Sequence, residues 1–142
     1  MKQTVRFRVD LTTGCSIGPG KVALLEGIRD TGSLRRAARA LGMSYRRAWL
    51  LLDEINHSFT APAATATVGG AGGGGAQLTA FGEALIRAYR SLEVDIESLA
   101  RVMLAPIAAR AKPRPEGKTR RPPSAQRRRL SHTPSAGPGR AD

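Results

Sequence analysis

The sequence predicts a mainly α-helical protein with one small β-hairpin, and three patterns along its 142 residues indicate this. Apolar residues recur at helical spacing in four segments between residues 21 and 104. The second and third segments are separated only by a short turn around Gly42, and an uncharged glycine-rich stretch precedes the fourth and longest segment. The length fits a single domain, residues 1–104, followed by a tail, residues 105–142, because two separate cores would need more chain.

Basic side chains outnumber acidic ones, and the excess is concentrated near the carboxyl end. The chain holds 23 Lys and Arg against 11 Asp and Glu, a formal net charge of +12. Residues 1–104 carry 13 basic and 9 acidic groups, whereas residues 105–142 carry 10 basic and 2 acidic groups. A positive balance of this size suits a polyanionic partner, such as double-stranded DNA or an anionic membrane surface, and does not by itself distinguish them.

Several classes of protein are disfavoured by composition. The single cysteine, Cys15, excludes an intramolecular disulfide and a multi-cysteine zinc site. The two histidines are too few for a three-histidine metal site. The first ten residues carry charges every few positions, unlike a secretory signal, and no apolar run reaches the roughly 18 residues of a membrane span. No nucleophile–base pair indicates an enzyme. We therefore expect a cytoplasmic, non-enzymatic protein with no metal, no cofactor and no membrane partner.

An amino-terminal strand and a first helix are predicted before residue 33. Polar and apolar residues alternate over residues 4–11, which is typical of a half-buried strand. Residues 14–20, GCSIGPG, are turn-forming. Helical spacing begins at Lys21, and the predicted helix ends near Thr31 and Gly32.

The next two helices form a predicted helix-turn-helix. Ser33 and Ser44 each stand where a hydroxyl can cap a helix amino terminus, and Gly42 suits the left-handed conformation that ends the first helix. The apolar positions of the first helix are Leu34, Ala37, Ala38 and Leu41. Those of the second, over about 44–58, are Tyr45, Ala48, Trp49, Leu52 and Ile55, with Phe59 just beyond it. Such a short glycine-containing turn between two helices is typical of this motif, and Trp49 is predicted to anchor the second helix in the core.

A β-hairpin is predicted directly after these helices, in the position of a wing. Residues 61–68 and 76–79 are the candidate strands, and no charged side chain occurs between Ser58 and Gly82. The tip contains the glycines Gly69, Gly70, Gly72, Gly73, Gly74 and Gly75. Glycine permits positive φ and favours a mobile loop. A nucleotide-binding role is disfavoured because the run lacks the GKS or GKT ending of a P-loop.

The last predicted helix, about 80–104, is long enough to serve two subunits. One apolar stripe comprises Phe81, Leu85, Ala88, Leu92, Ile96, Leu99 and Met103. Some 25 helical residues span about 37 Å, more than a domain of this size needs to cover itself. The sequence therefore predicts a homodimer with contacts through Leu85, Leu92, Ile96, Leu99 and Met103.

The tail, residues 105–142, is predicted to be disordered. It is rich in Pro, Arg, Ser and Gly, and after Ile107 its only large aliphatic residue is Leu130. Its basic cluster, residues 127–129, adds nonspecific DNA affinity or is simply solvated, and both readings remain open.

The segment GSLRRAARALGMSYRRAWLLLDEINHS, residues 32–58, followed by GGAGGGGAQLTAFGEALIRAY, resembles the amino-terminal domain of the molybdate-responsive ModE regulators. The resemblance covers about residues 14–100 and implies a winged helix-turn-helix, related to that of LysR-type regulators, in a dimeric DNA-binding transcription factor. The molybdate-binding domains of that family have no counterpart here, so no molybdate site is expected. Family wings usually carry Lys or Arg, whereas this one is uncharged.

In such a fold the second helix of the motif, about 44–58, enters the major groove. Arg46 and Arg47 are then expected to bond guanine or phosphate, and Ser44 to place helix-terminal N–H groups near a phosphate. For Tyr45, a phosphate contact and core packing remain open. A further phosphate contact is expected from the first helix, through one of the arginines but not all three; the candidate residues there are Ser33, Arg35, Arg36 and Arg39.

The predicted function is therefore that of a sequence-specific, nucleoid-associated transcriptional regulator, with no small-molecule effector assigned. The alternative is an architectural DNA-binding protein whose basic residues dominate affinity. These two functions differ in the ratio of specific to nonspecific binding and in its salt dependence.

Overall fold

The computed structural model describes residues 4–12, 14–67 and 75–113. The chain divides into two units, Met1–Arg110 and Ala111–Asp142, and the helices and strands of these described residues belong to the first unit. The helices are α1 (Pro19–Thr31), α2 (Leu34–Ala40), α3 (Tyr45–Ser58), α4 (Ala80–Met103) and α5 (Ala105–Ala108). The strands are β1 (Val9–Asp10), β2 (Ser16–Ile17), β3 (Ala64–Ala66) and β4 (Ala76–Leu78).

This arrangement is the predicted one: mainly helical, with a helix-turn-helix followed by a small antiparallel hairpin and a long helix. None of the described helices is both long and apolar enough to cross a membrane. The predicted wing-tip residues Gly69, Gly70, Gly72, Gly73 and Gly74 and the tail beyond residue 113 lie outside the described residues.

The amino-terminal strand is shorter than predicted. Exposure alternates from residue 4 to residue 12, as the sequence pattern requires, but only Val9 and Asp10 form a strand. Their partners are Ile17 and Ser16, reached through a turn at Gly14, whose φ is +84°. The prediction of turn over residues 14–20 was therefore partly wrong, since β2 lies within it. The turn segment also ends earlier than predicted, because α1 starts at Pro19. Proline suits the first position of a helix, since the N–H that it lacks would have no partner within the helix there.

The helix-turn-helix is built as predicted. The Ser33 hydroxyl accepts a hydrogen bond from the Arg36 N–H at 3.2 Å, and the Ser44 hydroxyl accepts one from the Arg47 N–H at 3.1 Å. Gly42 follows α2 with a φ of +66°, in the left-handed region that favours glycine.

The core is aliphatic and closely packed around α1. A Cβ on Gly27 would lie 2.9 Å from the Cβ of Ala37, so α1 and α2 approach each other through small residues. The buried side chains of the helices are Val22, Leu24, Leu25, Ile28, Leu34, Ala37, Ala38, Ala48, Leu52, Ile55, Ile86 and Tyr89.

The hairpin of β3 and β4 is present but shorter than predicted, with Ala64 opposite Leu78 and Ala66 opposite Ala76. Its second strand is tied to the carboxyl-terminal end of α1, because the Ala76 N–H donates to the Gly32 carbonyl at 2.9 Å. The Thr79 hydroxyl caps α4 by accepting from the Gly82 N–H.

Helix α4 packs on the domain mainly through a face beside the predicted stripe, although Phe81 and Leu85, at the start of that stripe, also pack partly against the core. Its buried residues are Gly82, Ile86 and Tyr89, which lie roughly 80° around the helix from that stripe at 3.6 residues per turn. Hydrophobic periodicity does not reveal this face, because two of its three members are glycine and tyrosine. The Tyr89 ring stacks on Phe7, with centroids 4.7 Å apart, and its hydroxyl donates to the Phe7 carbonyl at 2.9 Å.

An ion-pair cluster joins α4 to α1. Arg90 donates from Nε to Glu26 at 3.1 Å and from Nη1 to both carboxylate oxygens of Glu93, at 2.8 and 2.9 Å. The three side chains are partly buried, so water weakens these bonds less than at an open surface. The amino-terminal half of α4 is thereby fixed to α1.

Candidate nucleic-acid interface

Helix α3 presents its amino-terminal residues to solvent. Tyr45, Arg46 and Arg47 are all exposed, whereas Ala48 and Leu52 are buried against the rest of the domain. The Ser44 cap fixes where α3 begins. Two arginine side chains therefore project from the first turn of α3, the second helix of the helix-turn-helix.

The prediction that Trp49 packs in the core is wrong. Its side chain is 49% exposed, while the neighbouring Ala48 is fully buried. The apolar positions of α3 cover two adjacent stripes, and the core takes the one that contains Ala48, Leu52 and Ile55. Trp49 lies roughly 100° further round the helix from Ala48 and faces outward.

Core packing of Tyr45 is also excluded, because 46% of its side chain is exposed. Its ring lies beneath the guanidinium of Arg35, whose central carbon is 4.7 Å from the ring centroid. This contact joins the first turn of α2 to the first turn of α3. The structure thus places Arg35 beside the predicted base-reading residues.

Two further arginines of α2, Arg36 and Arg39, are exposed. With Arg35 they give α2 three cationic side chains outside the core. Ser33, also predicted to contact DNA, uses its hydroxyl to cap α2.

A shallow, mostly apolar hollow lies on the exposed side of α3. Tyr45, Arg46, Trp49 and Leu50 line it. One charged side chain and three large apolar ones therefore share the surface that follows the Ser44 cap.

The carboxyl-terminal half of α3 has a different electrostatic character. Glu54 accepts from the Nζ atom of Lys21 at 2.6 Å, and the Nδ1 atom of His57 lies 3.2 Å from the Oδ1 atom of Asp53. The acidic groups of α3 thus have cationic or histidine neighbours, while the arginines of its first turn face solvent. Positive charge is concentrated at the end nearest α2.

Asn56 connects α3 to the wing and was not identified as a site residue. Its Oδ1 atom accepts from the N–H groups of Ala63 and Ala64, at 2.9 and 3.3 Å, and its Nδ2 atom donates to the Ala64 carbonyl at 2.9 Å. The sequence feature that indicates this role is an asparagine near the end of an amphipathic helix, where its side-chain amide can form hydrogen bonds with nearby backbone groups.

Of the predicted wing glycines, the structure describes Gly75. Its N–H donates to the Thr67 hydroxyl at 3.1 Å, and its carbonyl accepts from the Thr67 N–H at 2.7 Å. These bonds continue the hairpin one position beyond β3 and β4.

No protein-family model matches the chain. Among curated relatives, the molybdenum-pterin-binding protein MopB of Rhodobacter capsulatus is 46% identical over 87 residues, 61% of this chain and 32% of MopB. The molybdenum transport protein ModE of Azotobacter vinelandii is 36% identical over 93 residues, 66% of this chain and 34% of that protein. The DNA-binding transcriptional dual regulator ModE of Escherichia coli K12 is 38% identical over 71 residues, 50% of this chain and 27% of that protein.

A solved structure of full-length LysG, a LysR-type regulator of Corynebacterium glutamicum with bound effector arginine, aligns with 67% of this chain and 30% of its own. The TM-score is 0.48 and the sequence identity 22%. The chain spans about a third of the length of the curated relatives it matches. Over half to two thirds of its own length, those relatives confirm that this chain resembles the ModE family.

Proposed function

We propose that this chain is a DNA-binding transcriptional regulator that reads base sequence with the first turns of α3. The observation that carries the proposal is the exposed pair Arg46 and Arg47 directly after the Ser44 cap. The name of the Escherichia coli relative, a DNA-binding transcriptional dual regulator, supports the same function.

The chemistry and the positions of the arginines determine the contact proposed for each. A guanidinium presents a planar fork of donors that matches guanine O6 and N7, or two phosphate oxygens. Arg46 and Arg47 lie two and three residues past the cap, where long side chains reach base edges. Arg35, Arg36 and Arg39 on α2 then bind the phosphate backbone and fix the register.

The proposal includes a homodimer formed through the exposed stripe of α4. Leu92 is 41% exposed, Leu99 59% and Met103 67%, whereas Leu85 and Ile96 are partly buried. Apolar side chains in such a row mark an association surface. A two-fold dimer would read two half-sites about 34–36 Å apart.

The deciding experiment compares the Arg46→Ala, Arg47→Ala double variant with wild-type protein on a duplex selected from a randomised pool and on an unselected duplex. We expect wild type to prefer the selected duplex by at least about 10³-fold. Each base-reading arginine that is removed costs about 1–3 kcal/mol on the selected duplex alone.

The control is Arg101→Ala, on the exposed carboxyl-terminal part of α4. This substitution should leave the preference for the selected duplex unchanged. If the double variant lost affinity equally on both duplexes, its arginines would hold phosphates only, and the architectural function would be the better description. Full affinity and full selectivity in the double variant would mean that α3 is not the helix in the groove.

A further inference from the structure

Three large apolar side chains stand exposed on the face of α3 that the proposed function turns toward DNA. Tyr45, Trp49 and Leu50, called here the apolar platform, are between 46% and 52% exposed. Tyr45 and Trp49 are one turn apart and lie on the same side of α3, while Leu50, which follows Trp49 in the chain, lies about 100° further round. Together with Arg46 they line a single hollow.

The core of the domain does not require this platform. Ala48, Leu52 and Ile55, on the other face of α3, are buried and fill the contact with the rest of the domain. Exposed apolar surface is unfavourable in water, and a contiguous patch of it marks a binding surface.

The charges around the platform indicate its occupant. Arg35 stacks on Tyr45, and the exposed Arg46 and Arg47 lie in the same turn of α3. Asp53, one turn beyond Trp49, lies beside the ring of His57. Guanidinium groups beside apolar side chains are complementary to a duplex that presents phosphates outside and base edges inside.

Only one group in the major groove is apolar. Each base pair presents donors and acceptors there, and thymine alone adds a C5-methyl group. We propose that Trp49 and Leu50 contact thymine methyl groups and thereby make this protein select A·T pairs at defined positions. This inference rests on the proposed function, since it requires α3 in the groove.

The spacing of the residues also sets where the thymine lies. Arg46 precedes Trp49 by three residues, which is about 4.5 Å along the helix axis. Successive base pairs are about 3.4 Å apart. The base pair contacted by Arg46 and the thymine contacted by Trp49 therefore lie within one or two steps of each other.

The test removes single methyl groups from DNA. A duplex selected by wild-type protein from a randomised pool is resynthesised with uracil in place of thymine, one position at a time, which leaves base pairing intact. At one or two positions per half-site, we expect wild-type protein to bind the uracil duplex about fourfold more weakly, the effect of one buried carbon at about 0.8 kcal/mol.

Substitutions in the apolar platform test whether it causes the sensitivity to uracil. Trp49→Gln should bind the thymine and uracil duplexes equally at one of these positions, whereas Trp49→Phe, which remains apolar, should still distinguish them. Val94→Gln removes another exposed apolar side chain, on α4, and should retain the full sensitivity. Unchanged helical circular dichroism checks that each variant is folded.

Each other result overturns the inference. A wild-type protein that selects a sequence but binds its uracil versions equally leaves the proposed function standing and removes thymine recognition. If both Trp49→Gln and Leu50→Gln still distinguish thymine from uracil, the methyl contact lies elsewhere. If wild-type protein binds the single strand more tightly than the duplex, the apolar platform contacts unpaired bases. If no sequence is selected at all, the proposed function and this inference fail together.

Discussion

The guanidinium of Arg35 lies over the ring of Tyr45, 4.7 Å from its centroid, and this contact bridges the two helices of the helix-turn-helix at their amino-terminal ends. A cation over an aromatic face is attracted by the quadrupole of the ring. The contact restrains the long Arg35 side chain before any ligand binds, so less conformational entropy remains to be lost on binding.

This restraint predicts that Arg35 and Tyr45 act as a coupled pair in DNA binding. Arg35→Ala and Tyr45→Ala should each weaken binding to a selected duplex. The double variant should lose less than the sum of the two, with a coupling of about 0.5–1 kcal/mol, as for an exposed cation–π pair. Filter binding at one salt concentration gives the dissociation constants of wild type, the two single variants and the double variant. The pair Arg39→Ala and Tyr45→Ala is the matched control and should be additive, so equal coupling in both cycles contradicts the assignment.

Gly82 should tolerate no side chain. A Cβ at this position would overlap the carbonyl oxygen of Ala63, where the hairpin meets α4. Because the obstacle is backbone, Gly82→Ala should destabilise the domain by about 1–3 kcal/mol, the usual cost of overpacking. Urea denaturation measures this loss. Gly20→Ala, in the first turn of α1 with nothing within 4 Å of its Cβ, is the control and should leave stability unchanged or raise it.

The α4 stripe should control the oligomeric state. Leu92→Glu with Leu99→Glu places two carboxylates in the proposed interface, where their desolvation is costly, and should give folded monomers. Val94→Glu is the matched control, because Val94 is 61% exposed but lies roughly on the opposite side of α4. Sedimentation equilibrium separates the cases. A wild-type protein that is monomeric at micromolar concentration, or a Val94→Glu variant that dissociates as readily, would refute the assigned surface.

Stability should fall in alkali through Tyr89. Burial, reinforced by the nearby Glu93 carboxylate and opposed by Arg90, raises the pKa of the Tyr89 phenol. A raised pKa means that the unfolded chain loses this proton first. The stabilisation is therefore complete below about pH 10, the ordinary tyrosine value, and disappears as the pH rises through the pKa of the folded state.

Tyr89→Phe tests this dependence. The variant retains the stacking on Phe7 but loses the hydrogen bond to its carbonyl, a cost of about 1 kcal/mol at neutral pH. Its free energy of unfolding should then decline less steeply than that of wild type above pH 10. Tyr45→Phe, at the other and exposed tyrosine, should retain the wild-type decline. Parallel curves for wild type and Tyr89→Phe would remove Tyr89 as the cause.

Local signals in the sequence predicted the helix-turn-helix closely, because caps and turns depend on neighbouring residues. Ser33, Ser44 and Gly42 all act as predicted, since a capping hydroxyl or a left-handed glycine needs only the adjacent backbone. The hairpin and the long helix also form where the composition changes.

Predictions about which face is buried were less successful, because burial depends on distant elements. The helical spacing of apolar residues predicts Trp49 in the core, yet the neighbouring stripe of α3 fills that contact. The stripe of α4 is apolar as predicted, and Phe81 and Leu85 at its start pack partly against the core, but the buried residues of the helix are Gly82, Ile86 and Tyr89. Gly82 is buried because the hairpin approaches it closely, which no periodicity in hydrophobicity can reveal.

The exposed position of Trp49 also gives the protein a built-in optical reporter. Trp49 is the chain's single tryptophan, so all indole emission originates from the outer face of α3. A half-exposed indole is accessible to a neutral quencher such as acrylamide, and a ligand that covers this face shields it. Emission measured during a titration therefore reports on α3 alone, without a label, and distinguishes ligands that occupy this helix from those that bind elsewhere on the protein.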